Sequence, residues 1–219
     1  MRCILCYGDS NTWGYDPHWQ ARGKAYWRHA WEERWTGVLE AGLGSGYRVI
    51  EEGFGGRTLG ADDPVSPFRN GRTYFSMLLE SHQPLALVII LLGTNDTKAY
   101  LNREPEQIAA DAGELIDIAK KSAAGEGGAS PEVLLVAPPG QHPMVREGVF
   151  GGEFDASSLE KLLKLAPLLE REASRRGAHF MDAGVMADDG DGIHLDRDAQ
   201  TALGRAVTAR TAEILRAGV

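Results

Sequence analysis

Continuous apolar runs and amphipathic stretches alternate along this chain. Residues 85–92 form the clearest run, eight consecutive apolar side chains. Shorter strand-like runs cover residues 3–7, 47–51, 133–137 and 178–181. Runs without polar alternation suit strands covered on both faces. Between them the pattern predicts helices over residues 30–43, 73–82, 105–121, 157–176 and 197–217. Gly44, Pro84 and Gly177 stand where three of these should stop, and Pro105 occupies a first-turn position. The helix over 157–176 is expected to start on a serine cap, and Pro167 predicts a kink or break within it. Trp27, Trp31 and Trp35 recur at four-residue steps, which places them on one helix face. That stripe reads first as core or subunit contact, and second as a pocket wall. Strands alternating with helices imply an α/β fold, a parallel sheet with helices on both faces. With no internal repeat and no linker, residues 1–219 read as a single domain. Segments 125–128 and 140–152 read as surface loops, the second long enough to matter to function.

Composition narrows the possible partners. Hydrophobic residues make up 43% and charged residues 25% of the chain, which excludes global disorder. The net charge of −8 argues against nucleic-acid binding and against docking on an anionic membrane. No apolar run approaches the roughly 18–20 residues of a membrane span. The start of the chain does not resemble a secretory leader, so a cytoplasmic location is expected. Cys3 and Cys6 have redox-like spacing. In a strand, however, residues three apart face opposite sides, so both read as buried hydrophobes.

Glycine accounts for 27 of the residues, and much of it follows the predicted strands, where open α/β sheets place their ligands. The first strand ends in Gly8-Asp9-Ser10-Asn11, which exposes a serine and its N–H at the sheet edge. The second leads into Gly53-Phe54-Gly55-Gly56, where backbone N–H groups can approach a ligand closely. The third ends in Gly93-Thr94-Asn95-Asp96, and Asn95 can supply an amide donor beside Ser10. Taken alone, each block reads equally as a turn, a cap or a loop. After the last strand comes Asp191-Gly192-Ile193-His194. A turn there brings Asp191 to one ring nitrogen of His194 and leaves the other for Ser10, the orienter–base–nucleophile logic of acyl transfer. The competing reading is a metal site built on Asp188, Asp189 and Asp191. The weight comes from the four blocks together, in order, on one sheet edge.

These four blocks resemble the SGNH (GDSL-type) hydrolase family across nearly the whole chain. Residues 34–39, 91–100 and 51–58 are most similar to its bacterial arylesterase/acyltransferase branch. The resemblance implies a three-layer, flavodoxin-like fold with five parallel strands. It implies Ser10 as nucleophile, His194 as general base and Asp191 as the orienting acid. It implies an oxyanion hole from the Ser10 N–H, the Gly56 N–H and the Asn95 side chain, with Gly55 the alternative backbone donor. It further implies a homo-oligomer, octameric in some members. No cofactor or metal is expected.

The expected activity is hydrolysis of short-chain acyl esters of aryl or alkyl alcohols or of sugars, with acyl transfer to alcohols as a second outcome. The alternatives are a thioesterase or lysophospholipase on the same residues, and a metal-dependent phosphoesterase using Asp191 and His194 as ligands. Trp13, Phe150, Phe154 and Ile193 are the expected substrate-contacting residues, with His142 and Met144 on the same loop as the two phenylalanines.

Overall fold

The computed structural model describes residues 1–23 and 27–217. Five strands form from the apolar runs: β1 (Arg2–Gly8), β2 (Tyr47–Gly53), β3 (Leu85–Leu91), β4 (Glu132–Ala137) and β5 (His179–Asp182). All pairings are parallel, in the order β2-β1-β3-β4-β5. The helices are α1 (Ser10–Trp13), α2 (Trp35–Leu43), α3 (Gly71–His82), α4 (Pro105–Lys121), α5 (Ala156–Arg175) and α6 (Arg197–Ala217). The period of two along β1 divides the core. Leu5 and Tyr7 pack on one face with Phe75 and Leu79 of α3, Ile108 of α4 and Leu165 of α5. Ile4 and Cys6 pack on the other with Trp35 and Leu39 of α2 and Leu203 and Val207 of α6. Cys3 joins the first cluster and Cys6 the second, so the two thiols lie on opposite faces and both are free. This is the expected three-layer α/β arrangement. No helix among the described residues is long and apolar enough to cross a membrane.

α4 and α6 span the residues that their spacing predicts, and α4 opens on Pro105 with a capping box between Glu104 and Gln107. Two expected helices differ. The stretch 30–43 is broken: Trp31–Glu33 is a 3-10 turn, and Ala30 and Arg34 have extended backbones (ψ 157° and 146°). The tryptophan stripe is therefore not one helix face. Trp35 is core, whereas Trp27 is exposed and lines a cavity. In α5 the cap is Asp155 rather than a serine. Its carboxylate accepts from the N–H groups of Ser157 (2.8 Å) and Ser158 (3.2 Å), and a charge at that end also meets the helix dipole. α5 runs on through Pro167 without a break. Leu163, whose carbonyl loses its donor to the proline, lies with Pro167 on the exposed side, where water can serve it.

The ends of β1, β2 and β3 are level, since Gly8 pairs with both Gly53 and Leu91. β1 and β3 are neighbours in space but not in sequence, and the crevice beyond such a switch point is where doubly wound sheets place ligands. Gly8 is needed there because α1 folds back onto its own strand. A Cβ at Gly8 would lie 1.9 Å from Thr12 Oγ1.

Candidate active site

Ser10 is the first residue of α1, whose N-cap is Asp9; Asp9 Oδ1 accepts from the Asn11 N–H at 2.9 Å. The Ser10 hydroxyl lies 2.8 Å from His194 Nε2. On the far side of the ring, Nδ1 donates to Asp191 Oδ2 at 2.7 Å. Asp191 Oδ1 accepts from the N–H groups of Ile193 and His194, both at 2.9 Å. All three residues are buried. Burial by itself would push the Asp191 carboxyl up. The hydrogen bond and charge of His194, together with the two N–H donors, outweigh it and hold the group below the ordinary carboxylate range. Each nitrogen of His194 is thus engaged, one by a carboxylate and one by a hydroxyl. That pattern suits a base between an orienter and a nucleophile and speaks against His194 as a metal ligand.

The other two blocks meet this group from the sheet edge. Phe54 to Arg57 form a turn closed by Arg57 N–H to the Phe54 carbonyl (3.0 Å), and Gly56 adopts φ +77°. That is type II geometry, which favours glycine at the third position. Asn95 Nδ2 donates to the Arg57 carbonyl at 3.1 Å and reaches Asp9 Oδ2 at 3.4 Å. Ser10, Gly55, Gly56, Asn95 and His194 all line one cavity of about 550 Å³. Trp13, Phe150, Phe154 and Ile193 line it too. His142 and Met144 do not; the His142 ring instead accepts from the Met144 N–H.

Several residues surround the catalytic candidates, of which Tyr15, Asn11 and Arg57 carry no expected role from the sequence. Tyr15 stacks on the His194 ring at 4.0 Å, and Phe150 meets that ring edge-on at 5.5 Å. Asn11 clamps the histidine loop, donating to the Ile193 carbonyl (3.2 Å) and accepting from the Leu195 N–H (3.0 Å). Its place directly after Ser10 was the available signal. The Arg57 guanidinium, buried over the Tyr7 ring, donates to the carbonyls of Gly8 (2.8 Å) and Glu52, tying the ends of β1 and β2 to the glycine turn. Glu51 of β2 holds Arg28 and Arg34. Those arginines reach the Trp13 carbonyl (2.7 Å) and the His29 carbonyl (3.1 Å), and His29 Nε2 meets the Leu195 carbonyl at 3.0 Å. His179 pairs with Glu132 at 3.2 Å, away from the site. The metal-competent cluster among the described residues is His18, Asp188 and Asp189; Asp191, which the competing metal reading included, is not part of it. There His18 Nε2 lies 2.5 Å from Asp188 Oδ1.

Asp96, in the same block as Asn95, gives a pH test of stability. Burial pushes its carboxyl up to about 7, against the pull of the Leu59 N–H and of Arg103. The folded protein therefore holds a proton that the unfolded chain has released, and stability falls as pH rises from about 4 to about 7. Asp96→Asn removes that decline while keeping an oxygen for the Leu59 N–H, which lies 2.9 Å from Oδ2. The melting temperature of the variant, relative to the unmodified protein, should climb across this window. A constant difference at all pH values would contradict the assignment.

Residues 6–202 match the model of the GDSL-like Lipase/Acylhydrolase family. Among solved structures, the chain is similar to Est24, a carbohydrate acetylesterase from Sinorhizobium meliloti. Identity is 41% and the TM-score 0.89, covering 98% of this chain and 100% of that one. It is similar to the M. smegmatis aryl esterase at 39% identity and TM-score 0.85, with 98% and 100% covered. A second carbohydrate acetylesterase family member from Sinorhizobium meliloti shows 34% identity and a TM-score of 0.86, with 98% and 99% covered. No curated protein matches the chain significantly.

Proposed function

The chain belongs to the GDSL-like lipase/acylhydrolase family, and from that premise we propose that it hydrolyses short-chain acyl esters through an acyl-enzyme on Ser10. The alcohol is aryl, alkyl or a sugar, and acetyl is the leading acyl group. The observation that carries this reading is the imidazole of His194, held between Ser10 Oγ and Asp191 Oδ2 at the wall of a cavity. The aryl esterase and carbohydrate acetylesterase relatives support the choice of alcohols. Buried Phe154 and Ile193 beside His194 support a small acyl group.

In this mechanism Ser10 Oγ attacks the ester carbonyl while its proton passes to His194 Nε2. Asp191 stabilises the imidazolium and fixes its orientation. The oxyanion is received by the N–H of Ser10, the N–H of Gly56 and Asn95 Nδ2. Gly56 is taken ahead of Gly55 because its N–H belongs to the central peptide of the turn, whose orientation the positive φ of Gly56 sets. One hydrogen of Asn95 Nδ2 is fixed by the Arg57 carbonyl, and the other is only loosely engaged by Asp9 at 3.4 Å, so it can turn to the oxyanion. The imidazolium then protonates the departing alcohol, and water or a second alcohol releases the acyl group. The aromatic walls formed by Trp13, Trp27, Phe54 and Phe150 favour that second alcohol over water.

Asn95→Ala should lower kcat by about 10²–10³ on p-nitrophenyl acetate with an unchanged circular dichroism spectrum. Undiminished turnover would remove Asn95 from the oxyanion hole. The substrate class is tested by a panel of phenyl acetate, glucose pentaacetate, p-nitrophenyl octanoate and palmitoyl-coenzyme A. Acetyl esters should dominate; a preference for the long thioester would replace this reading with a thioesterase.

A further inference from the structure

The mechanism leaves one strong charge in the cavity unused. Arg69 lines it together with Ser66, and the guanidinium stacks on Phe54, 4.2 Å from the ring centroid. Its Nη1 donates to the Pro67 carbonyl at 3.0 Å. Its Nε is buried without a hydrogen-bond partner. Among the described residues it has no carboxylate partner, in contrast to Lys98, the other cation lining the cavity. Lys98 is matched by Asp63 at 3.0 Å and by Glu153 at 2.7 Å. The carboxylates of that wall are thus already engaged.

The position of Arg69 is specific. A Cβ at Gly56 would lie 3.0 Å from Arg69 Nε, so the missing side chain in the oxyanion turn is what lets the guanidinium lie against it. Arg57 approaches the same Phe54 ring at 5.5 Å, which adds a second positive charge beside that ring. A planar fork with free N–H groups, partly shielded from water and with a further cation at the same ring, is suited to a carboxylate.

We propose that Arg69 forms an anion subsite, so that this enzyme prefers esters carrying a carboxylate on the part of the substrate that reaches this wall. The inference rests on the esterase reading above. It adds an acidic substituent as the specificity element, with Arg69 binding it and Ser66 lining the same wall.

The test compares phenyl acetate with 4-acetoxybenzoate, the same ester bearing a carboxylate. The unmodified enzyme should favour 4-acetoxybenzoate in kcat/KM, and the preference should shrink as sodium chloride is raised. In Arg69→Gln the ratio of the two kcat/KM values should fall at least about tenfold, the effect of losing a charge-assisted pair. Arg69→Lys, a point charge without the fork, should fall between the two. A ratio that is unchanged in Arg69→Gln, or insensitive to salt in the unmodified enzyme, overturns the subsite while leaving the esterase reading intact. Failure to hydrolyse either ester overturns both.

Discussion

Ser10→Ala should abolish ester hydrolysis, with kcat on p-nitrophenyl acetate falling by roughly 10⁵–10⁶. The scale follows from nucleophile deletions in serine hydrolases, where residual catalysis comes only from the oxyanion donors and from binding. The fold should tolerate the change. Only one oxygen is removed, and the α1 cap is provided by Asp9 through the Asn11 N–H. What is lost is the oxygen that sits 2.8 Å from His194 Nε2. Circular dichroism and thermal melting should therefore match the unmodified protein. A variant that still turns over ester above the buffer rate, after removal of contaminating esterase, would place the nucleophile elsewhere.

Asp191→Asn should follow with a loss of about 10⁴ in kcat. The carboxylate takes three hydrogen bonds, from the Ile193 N–H, the His194 N–H and the imidazole Nδ1–H. An asparagine can keep the two backbone donors on its oxygen. Its amide nitrogen then faces Nδ1 as a donor, which forces the proton of the neutral ring onto Nε2. Nε2 can no longer accept from Ser10. KM should change far less than kcat, because Asp191 does not line the cavity. Equal losses in kcat and substrate affinity would point to a collapsed loop rather than a lost proton relay.

These residues were legible in the sequence for a physical reason. In a parallel sheet the C-terminal ends of the strands gather at one edge, so polar residues just after successive apolar runs converge. The level pairing of Gly8 with Gly53 and Leu91 brings Ser10, the glycine turn and Asn95 together. The helices with clear stop and start signals, such as α4 between Pro105 and Lys121, were legible too.

The stretch 27–35 was not. A four-residue tryptophan spacing suggests a helix there, but periodicity cannot see that Ala30 and Arg34 turn extended while Arg28 and Arg34 are drawn to Glu51 of β2. Tyr15 on His194 and Asn11 on the loop at 193–195 are contacts between segments about 180 residues apart. They follow from the closed fold and not from any local pattern. Arg57 is similar: a lone arginine after glycines looks like loop surface until its carbonyl partners on β1 and β2 are in place.

Covalent labelling decides whether Ser10 is the nucleophile. The protein should be treated with a fluorophosphonate, digested, and its peptides measured by mass spectrometry in step with residual esterase activity. One adduct per inactivated chain is expected, on Ser10, and none in Ser10→Ala or after His194→Ala at matched times. Full inactivation with the label on another residue, or a Ser10 that labels equally fast without His194, would contradict this assignment.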